Sequence, residues 1–286
     1  MADIDLHTHS TASDGTLPPG KLIREAARQG LKAIALTDHD TTAGLGEALR
    51  VAHELGMELI PGVELSVDFS PGFMHLLGLW LAPEAPKLNA VLADLRHKRD
   101  TRNERIVSRL NELGIDITYD EVRELAGEGS VGRPHLAQIL VRKGVVSSVN
   151  QAFAEFLGST GRAYIPKEKL TPERAVEVLL EEGATVILAH PYSLYQTPEE
   201  EEMTMVRLKN LGMTGIEAYY SLHDKKTTKR YLSLAKRHGL LPTSGSDFHG
   251  YVKPDISLGV GQGNLTGPYA LLQALKDHRT AQGLPC

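Results

Sequence analysis

Histidines and carboxylates in this chain fall in short clusters, each placed at one end of an apolar run. Ile4-Asp5-Leu6 leads into His7-Thr8-His9, with Asp14 a few residues on. Ala33-Ile34-Ala35-Leu36-Thr37 leads into Asp38-His39-Asp40, Gly62-Val63 into Glu64, and Ala189 into His190-Pro191. His75 opens another apolar run, and Leu241–Ser244 leads into Gly245-Ser246-Asp247-Phe248-His249. In a strand, residues i and i+2 share a face, so His7 and His9 can both reach one cation. Glu64, with two oxygens, can bridge two. Imidazole and carboxylate without thiolate suit Mn²⁺, Fe²⁺ or Zn²⁺ rather than a soft-metal or iron–sulfur site. Asp14, Glu64 and Asp247 would offset part of the charge of such ions, and the remainder would favour an anionic substrate.

Each cluster also has a plain structural reading. A lone His-x-His is common, Asp38-His39-Asp40 resembles a helix N-cap region, His190 before Pro191 suits a turn, and His75 suits a satisfied core position. Repetition at strand ends is what favours a shared site, because barrel enzymes gather their chemistry where loops from every unit converge. His53, His97, His238 and His278 fall in helical stretches and read as solvated-face residues. His223, just beyond Glu217-Ala218-Tyr219-Tyr220, is a candidate to line the site.

The elements that must position these groups alternate between strand and helix. Strands are predicted at Ile4–His9, Ala33–Thr37, Glu58–Leu65, His75–Trp80, Thr185–Ala189, Gly215–Ala218, Leu241–Ser244 and Leu258–Val260. Helices are predicted at Pro19–Gln29, Leu45–Leu55, Thr171–Glu182, Glu200–Asn210, Lys226–His238 and Tyr269–Asp277. This alternation implies βαβ units and a parallel sheet, closed into a barrel in preference to an open doubly wound sheet. Between Leu88 and Ile165 the rhythm breaks and the patterns are helical, with helices predicted at Tyr119–Ala126, Pro134–Lys143 and Val149–Leu157. The chain thus reads as an α/β barrel formed by residues 1–87 and 166–286, with a helical domain of residues 88–165 inserted over its active-site mouth.

That inserted block carries two basic features. Arg96, Arg99, Arg102 and Arg105 recur every three residues, a spacing that also suits a salt-bridged, solvated helix face. Gly132-Arg133-Pro134-His135 places proline at a helix start, with free N–H groups beside a guanidinium, a suitable phosphate clamp.

Bulk properties narrow the function classes. The 286 residues carry a formal net charge of −5, which argues against a protein that coats nucleic acid and leaves no broad DNA-binding surface. No apolar run approaches the roughly 18–20 residues that span a bilayer. The N-terminus lacks signal-peptide features, and the single cysteine, Cys286, permits no internal disulfide. These properties predict a cytoplasmic protein without membrane partners.

His7-Thr8-His9-Ser10, Thr37-Asp38-His39-Asp40, Gly62-Val63-Glu64, Ala189-His190-Pro191 and Gly245-Ser246-Asp247-Phe248-His249 together resemble the motifs of the polymerase and histidinol phosphatase (PHP) superfamily. The Arg-rich helix and Gly132-Arg133-Pro134-His135 resemble the branch of 3′,5′-nucleoside bisphosphate phosphatases, also described as 5′→3′ exoribonucleases of short RNA. The resemblance implies a distorted (β/α)₇ barrel and two to three divalent metal ions, with Mn²⁺ favoured over Zn²⁺ or Fe²⁺. By motif, the first ion takes His7, His9, Glu64 and Asp247, the second Glu64, His75 and His190, and the third Asp14, His39 and His249. Asp14 stands where some relatives have histidine, which leaves the metal preference of the third position open.

What the resemblance implies for activity is a phosphoric ester hydrolase removing the 3′-phosphate of 3′,5′-bisphosphonucleotides, and also trimming short 5′-phosphorylated RNA. Glu64, His190, Asp247 and His223 are the expected catalytic residues; His223, His135 or a metal-bound water are the candidates to protonate the leaving group. Arg102, Asn103, Arg133 and His135 are the expected substrate contacts. The competing readings are a histidinol-phosphate-type phosphatase, a non-catalytic metal-binding regulatory module and an amidohydrolase. The last is disfavoured because no strand end offers a clear lysine for a metal-bridging carboxylate.

Overall fold

The computed structural model describes residues 2–126 and 131–286. Seven strands follow one another in chain order around one sheet: β1 (Ile4–Asp5), β2 (Ala33–Leu36), β3 (Glu58–Val67), β4 (Met74–Leu79), β5 (Thr185–Leu188), β6 (Gly215–Tyr220) and β7 (Leu241–Gly245). The sheet curls until its first and last strands meet. Leu6 N–H donates to Ser244 O at 2.9 Å, Asp247 N–H donates to His7 O at 2.9 Å, and Thr8 bridges Phe248 in parallel. The result is a nearly closed seven-stranded α/β barrel.

β2 and β5 are buried at every position, as expected of apolar strands covered on both faces. Between β1 and β3 lie helices α1 (Pro19–Arg28) and α2 (Leu45–Leu55), which pack Leu22, Ile23, Ala26, Leu45, Ala48 and Val51 against Ile34 and Leu36. Each leucine, isoleucine or valine among them contributes about 1.5–3 kcal/mol when withdrawn from water. α1 starts with proline in its first turn, and α2 ends at Gly56, whose φ of 62° is the left-handed conformation that closes a helix. On the far side, α7 (Pro172–Glu181), α8 (Pro198–Leu211), α9 (Lys225–His238) and α10 (Tyr269–Ala281) complete the alternation. Thr197 and Glu200 form a reciprocal capping box at the start of α8.

Three strand expectations are corrected. β4 is antiparallel to both β3 and β5, so the sheet is mixed rather than parallel. The connection from Val67 to Met74 is far shorter than the dozen or so residues of a parallel crossover, and only a hairpin fits. No strand forms at Leu258–Val260: Gly259 and Gly261 take φ of 63° and 61°, and the segment is a turn closed by the Ser257–Gly261 bridge. β1 is also shorter than the expected Ile4–His9.

The chain divides into two compact units, Met1–Leu92 with Leu170–Cys286, and Ala93–Lys169. The second holds most of α3 (Pro86–Glu112), then α4 (Tyr119–Ala126), α5 (Arg133–Arg142) and α6 (Val149–Ala152), the last running into a π-helical turn at Phe153–Leu157. It has its own apolar core, with Ile106, Leu110, Val122, Leu136, Leu140 and Phe156 buried together. Among the described residues, no helix is long and apolar enough to cross a membrane.

Candidate metal centre

The barrel rim gathers the clustered residues around one carboxylate. Glu64 sits at full burial on β3, and five imidazoles face it. Its Oε2 lies 3.1 Å from His7 Nε2, 3.2 Å from His9 Nε2 and 3.0 Å from His39 Nδ1. Its Oε1 lies 2.9 Å from His75 Nδ1 and 3.0 Å from His190 Nε2. Asp247 extends the cluster, with Oδ1 3.3 Å from both His9 Nε2 and His249 Nδ1. Asp14, more exposed, lies 3.2 Å from His249 Nε2 and 3.9 Å from His9 and His39.

Antiparallel β4 explains how His75 reaches this rim. His75 opens its strand and pairs with Ser66, so reversal of β4 brings a strand start to the end where its parallel neighbours finish. His190 and Asp247 hold φ of 26° and 58°, left-handed values that a residue with a Cβ rarely takes. Such strain, concentrated at strand ends, turns the two side chains back toward the barrel axis at a local cost that the surrounding structure sustains.

Hydrogen bonds behind the rings fix which nitrogen faces inward. His7 Nδ1 lies 3.1 Å from Glu217 Oε1, so Nδ1–H donates there and Nε2 presents a lone pair to the site. His190 Nδ1 likewise pairs with Ser193 Oγ at 3.0 Å, and His249 Nδ1 with the Asp247 carbonyl at 2.8 Å. In the neutral tautomer each of these Nε2 atoms presents a lone pair toward neighbouring carboxylate oxygens, an opposition that either an added proton or a cation must relieve.

Divalent ions fit this arrangement. His7 Nε2, both ring nitrogens of His9, His39 Nδ1 and Glu64 Oε2 are buried and lack hydrogen-bond geometry, although several lie within salt-bridge distance of one another. Cations placed among them, one to a grouping, would satisfy these atoms. Three groupings can each hold an ion: His7, His9, Glu64 and Asp247; His39, Glu64 and His75; and His9, Asp14, His39 and His249. His9 and His39 each belong to two groupings, a sharing that motif comparison did not indicate, while His190 adjoins the second through His75 Nδ1 at 3.3 Å.

Protons alone would satisfy the cluster poorly. Burial depresses the imidazolium form of His7 and His9, but Glu64, Glu217 and Asp247 outweigh it, raising His7 well above its ordinary value and His9 to about 9. Burial, with repulsion from His9, pushes His39 the other way, to about 4, despite Glu64. Burial opposes ionisation of Glu64 and Asp247, yet the surrounding imidazoles hold both carboxyls far below the usual carboxylate range. The site is thus a set of ionised carboxylates among imidazoles that cannot all be protonated together.

A cavity of about 210 Å³ opens beside the cluster, lined by His39, Glu64, His75, His190, Tyr220 and Asp247, with Phe73, Tyr192 and Lys253 at its edge. A larger space of about 610 Å³ lies at the opposite end of the barrel, around Trp80 and Arg279, and holds none of the ligating groups. Three site residues escaped sequence reasoning. Glu217 supports His7, Tyr220 donates its hydroxyl to Asp247 Oδ2 at 2.8 Å, and Lys253 Nζ lies 2.6 Å from the same oxygen. A signal for Glu217 was present, since a charge inside the apolar strand Gly215-Ile216-Glu217-Ala218 demands a partner.

His223 is buried behind Tyr220, its ring 5.2 Å from the tyrosine and 4.9 Å from Tyr231, and is not among the lining residues of the small cavity. Its Nδ1 donates to Ala218 O at 3.1 Å, which leaves Nε2 buried and unpartnered, and burial lowers its basicity. The expected substrate contacts lie in the helical unit. Arg102 donates from Nε to Ile165 O at 2.8 Å and Asn103 from Nδ2 to Val131 O at 3.0 Å. Arg133 donates to Leu157 O at 3.0 Å, and His135 Nδ1 accepts from Gly132 N–H at 3.1 Å.

Comparison with known proteins agrees with this chemistry. The PHP domain family matches residues 5–187. A 5′-3′ exoribonuclease of Haemophilus influenzae is 38% identical over 245 residues, covering 86% of this chain and 89% of the relative. A 3′,5′-nucleoside bisphosphate phosphatase of Chromobacterium violaceum is 34% identical over 252 residues, covering 87% and 88%. A Bifidobacterium adolescentis structure, assigned to the metal-dependent phosphoesterases, superposes with a TM-score of 0.75 at 31% identity, covering 96% of this chain and 95% of that one. The chain belongs to the PHP domain family, and it is a hydrolase of phosphate esters.

Proposed function

We propose that this enzyme removes the 3′-phosphate from 3′,5′-bisphosphonucleotides, giving 5′-mononucleotides, and that it also trims short 5′-phosphorylated RNA in the 5′→3′ direction. The relatives named above support both activities. The observation that carries the phosphoesterase reading is Glu64, buried in the barrel with five imidazole nitrogens within hydrogen-bond distance of its two oxygens. Within the helical unit by itself, Arg102 Nη2 is buried without a hydrogen-bond partner while Nε donates to Ile165 O, and a terminal nitrogen of that kind suits an anion.

Two to three divalent ions, Mn²⁺ first among them, would be held by His7, His9, Asp14, His39, Glu64, His75, His190, Asp247 and His249. When bound they supply Lewis acidity toward the phosphoryl oxygens and activate water. The chain's own residues do the rest. Glu217 keeps His7 in the tautomer that presents Nε2, and Ser193 does so for His190. Lys253 and Tyr220 hold Asp247 from its outer oxygen, leaving Oδ1 directed at the imidazoles. Lys253 also brings a positive charge to the cavity edge, where a phosphoryl oxygen gains charge during displacement. His223 acts in this scheme through Tyr220, against whose ring it packs.

Phosphate release from adenosine 3′,5′-bisphosphate by Mn²⁺-loaded protein tests the reading, with an EDTA-treated control and a 5′-phosphorylated oligoribonucleotide alongside. Metal-dependent release yielding AMP supports it. Turnover of neither substrate by metal-loaded protein refutes it and favours a different phosphate ester.

A further inference from the structure

Beside the ligating cluster, the barrel rim carries an aromatic corner that the metal chemistry leaves unused. Phe73 lies in the hairpin before β4, and Tyr195 follows the short turn Pro191–Leu194 after β5. Their rings meet edge to face, with centroids 5.7 Å apart and planes at 87°. The Phe73 ring stands 5.5 Å from that of His75 and 6.1 Å from that of His190, so the corner begins where the ligating imidazoles end. Phe73 is 36% exposed and Tyr195 64%. Tyr195 is also held at a φ of 52°, an unfavourable backbone setting for a residue with a Cβ, and there its ring stands beside Phe73 rather than in the core.

The Phe73 side of the cavity adjoins His75 and His190, so a phosphoryl group seated among His75, His190 and Glu64 would have this corner within reach of its organic substituent. The surface offered there is two aromatic faces at a right angle, continued across the cavity by Tyr192 and Leu222. Aromatic rings at such a place match a flat, polarisable group, and base–aromatic stacking tolerates any base because every base has a π-face. An aliphatic phosphate ester would gain little from this geometry.

We propose that Phe73 and Tyr195 form a nucleobase-stacking subsite, which makes the enzyme selective for nucleotides over other phosphate esters without choosing among bases. This rests on the nucleotide reading given above. The subsite contributes ring faces only, so it discriminates through binding rather than through the chemical step.

The test compares the 5′-phosphorylated diribonucleotide pApA with its doubly abasic counterpart, using wild-type protein and the variants Phe73→Leu and Tyr195→Leu. Leucine keeps apolar volume at the hairpin and the rim but removes the π-face. KM for pApA rises about tenfold in either variant, while kcat stays near wild type and the abasic substrate is unaffected. A pApA analogue carrying 2-aminopurine is quenched on mixing with wild-type protein, before turnover, and much less with Tyr195→Leu. Equal changes on base-bearing and abasic substrates, or unchanged KM and quenching, overturn the stacking subsite while leaving the nucleotide reading intact. Failure of the metal-loaded wild-type protein to turn over pApA or adenosine 3′,5′-bisphosphate overturns both.

Discussion

One carboxylate, Glu217, holds two ends of the site at once: its Oε1 lies 3.1 Å from His7 Nδ1, while its Oε2 accepts the backbone N–H of His190 at 2.8 Å. A single buried side chain on β6 thereby sets the ring of a residue beyond β1 and the backbone beyond β5. The close approach of these strands depends on Gly245, where a Cβ would fall 2.3 Å from both Glu217 Oε1 and His7 Cβ.

Glu217→Gln should therefore weaken metal binding without unfolding the barrel. The amide cannot stabilise the His7 tautomer as an ionised carboxylate does, and losses of about 10–100-fold are typical when such support is removed. Competition with a chromophoric chelator measures the affinity directly. Unchanged affinity would show that His7 is oriented by its backbone alone.

Gly245→Ala should lower both stability and metal affinity. The added methyl must displace His7 or Glu217, an overpacking cost of about 1–3 kcal/mol. Thermal melts of the metal-free proteins give the first quantity, expected as a fall in Tm of several degrees. A variant as stable as wild type would mean that β7 moves aside freely.

Removal of the ions should leave a folded but less stable protein. Ligands bound only by the folded state stabilise it by mass action, about 2.7 kcal/mol at a hundredfold excess over Kd. For a chain of this size that corresponds to a Tm about 5–10 °C higher with Mn²⁺ than with EDTA. Indistinguishable melts would argue against occupancy of the cluster.

Lys253→Met keeps the apolar stem of the side chain and deletes the charge that lies 2.6 Å from Asp247 Oδ2. Activity toward the phosphate ester should fall about tenfold or more through loss of charge stabilisation, with metal affinity largely retained. A loss confined to metal affinity would instead restrict Lys253 to support of Asp247.

A pH effect is expected far from the site. Hydrogen bonds from Arg28 and Gln29 hold the Glu25 carboxyl down to about 2, below its value in an unfolded chain. The stabilisation is therefore present above the unfolded value and is lost as pH falls through it toward the folded one. Arg28 is largely exposed, so solvent screening limits the contribution to about 0.5 kcal/mol. Glu25→Gln should melt slightly below wild type at pH 6, with the gap narrowing on acidification and closing only as pH falls to about 2. A gap that widened on acidification would exclude this pair as its source.

The sequence by itself determined which residues converge. The clustering of His7, His9, Glu64, His190 and Asp247 was legible because strand periodicity and strand ends are local features, and barrel closure brings such ends together whatever the loops do. The short link between Val67 and Met74 was likewise written in the chain, and a hairpin there makes β4 antiparallel. Only the tertiary structure decided which groups stand behind the ligands. Glu217, Tyr220 and Lys253 reach the site across register relationships between strands distant in sequence, and no local pattern encodes such pairing. The sharing of His9 and His39 between groupings is of the same kind, set by ångström-scale convergence of separate loops rather than by the residues in any one of them.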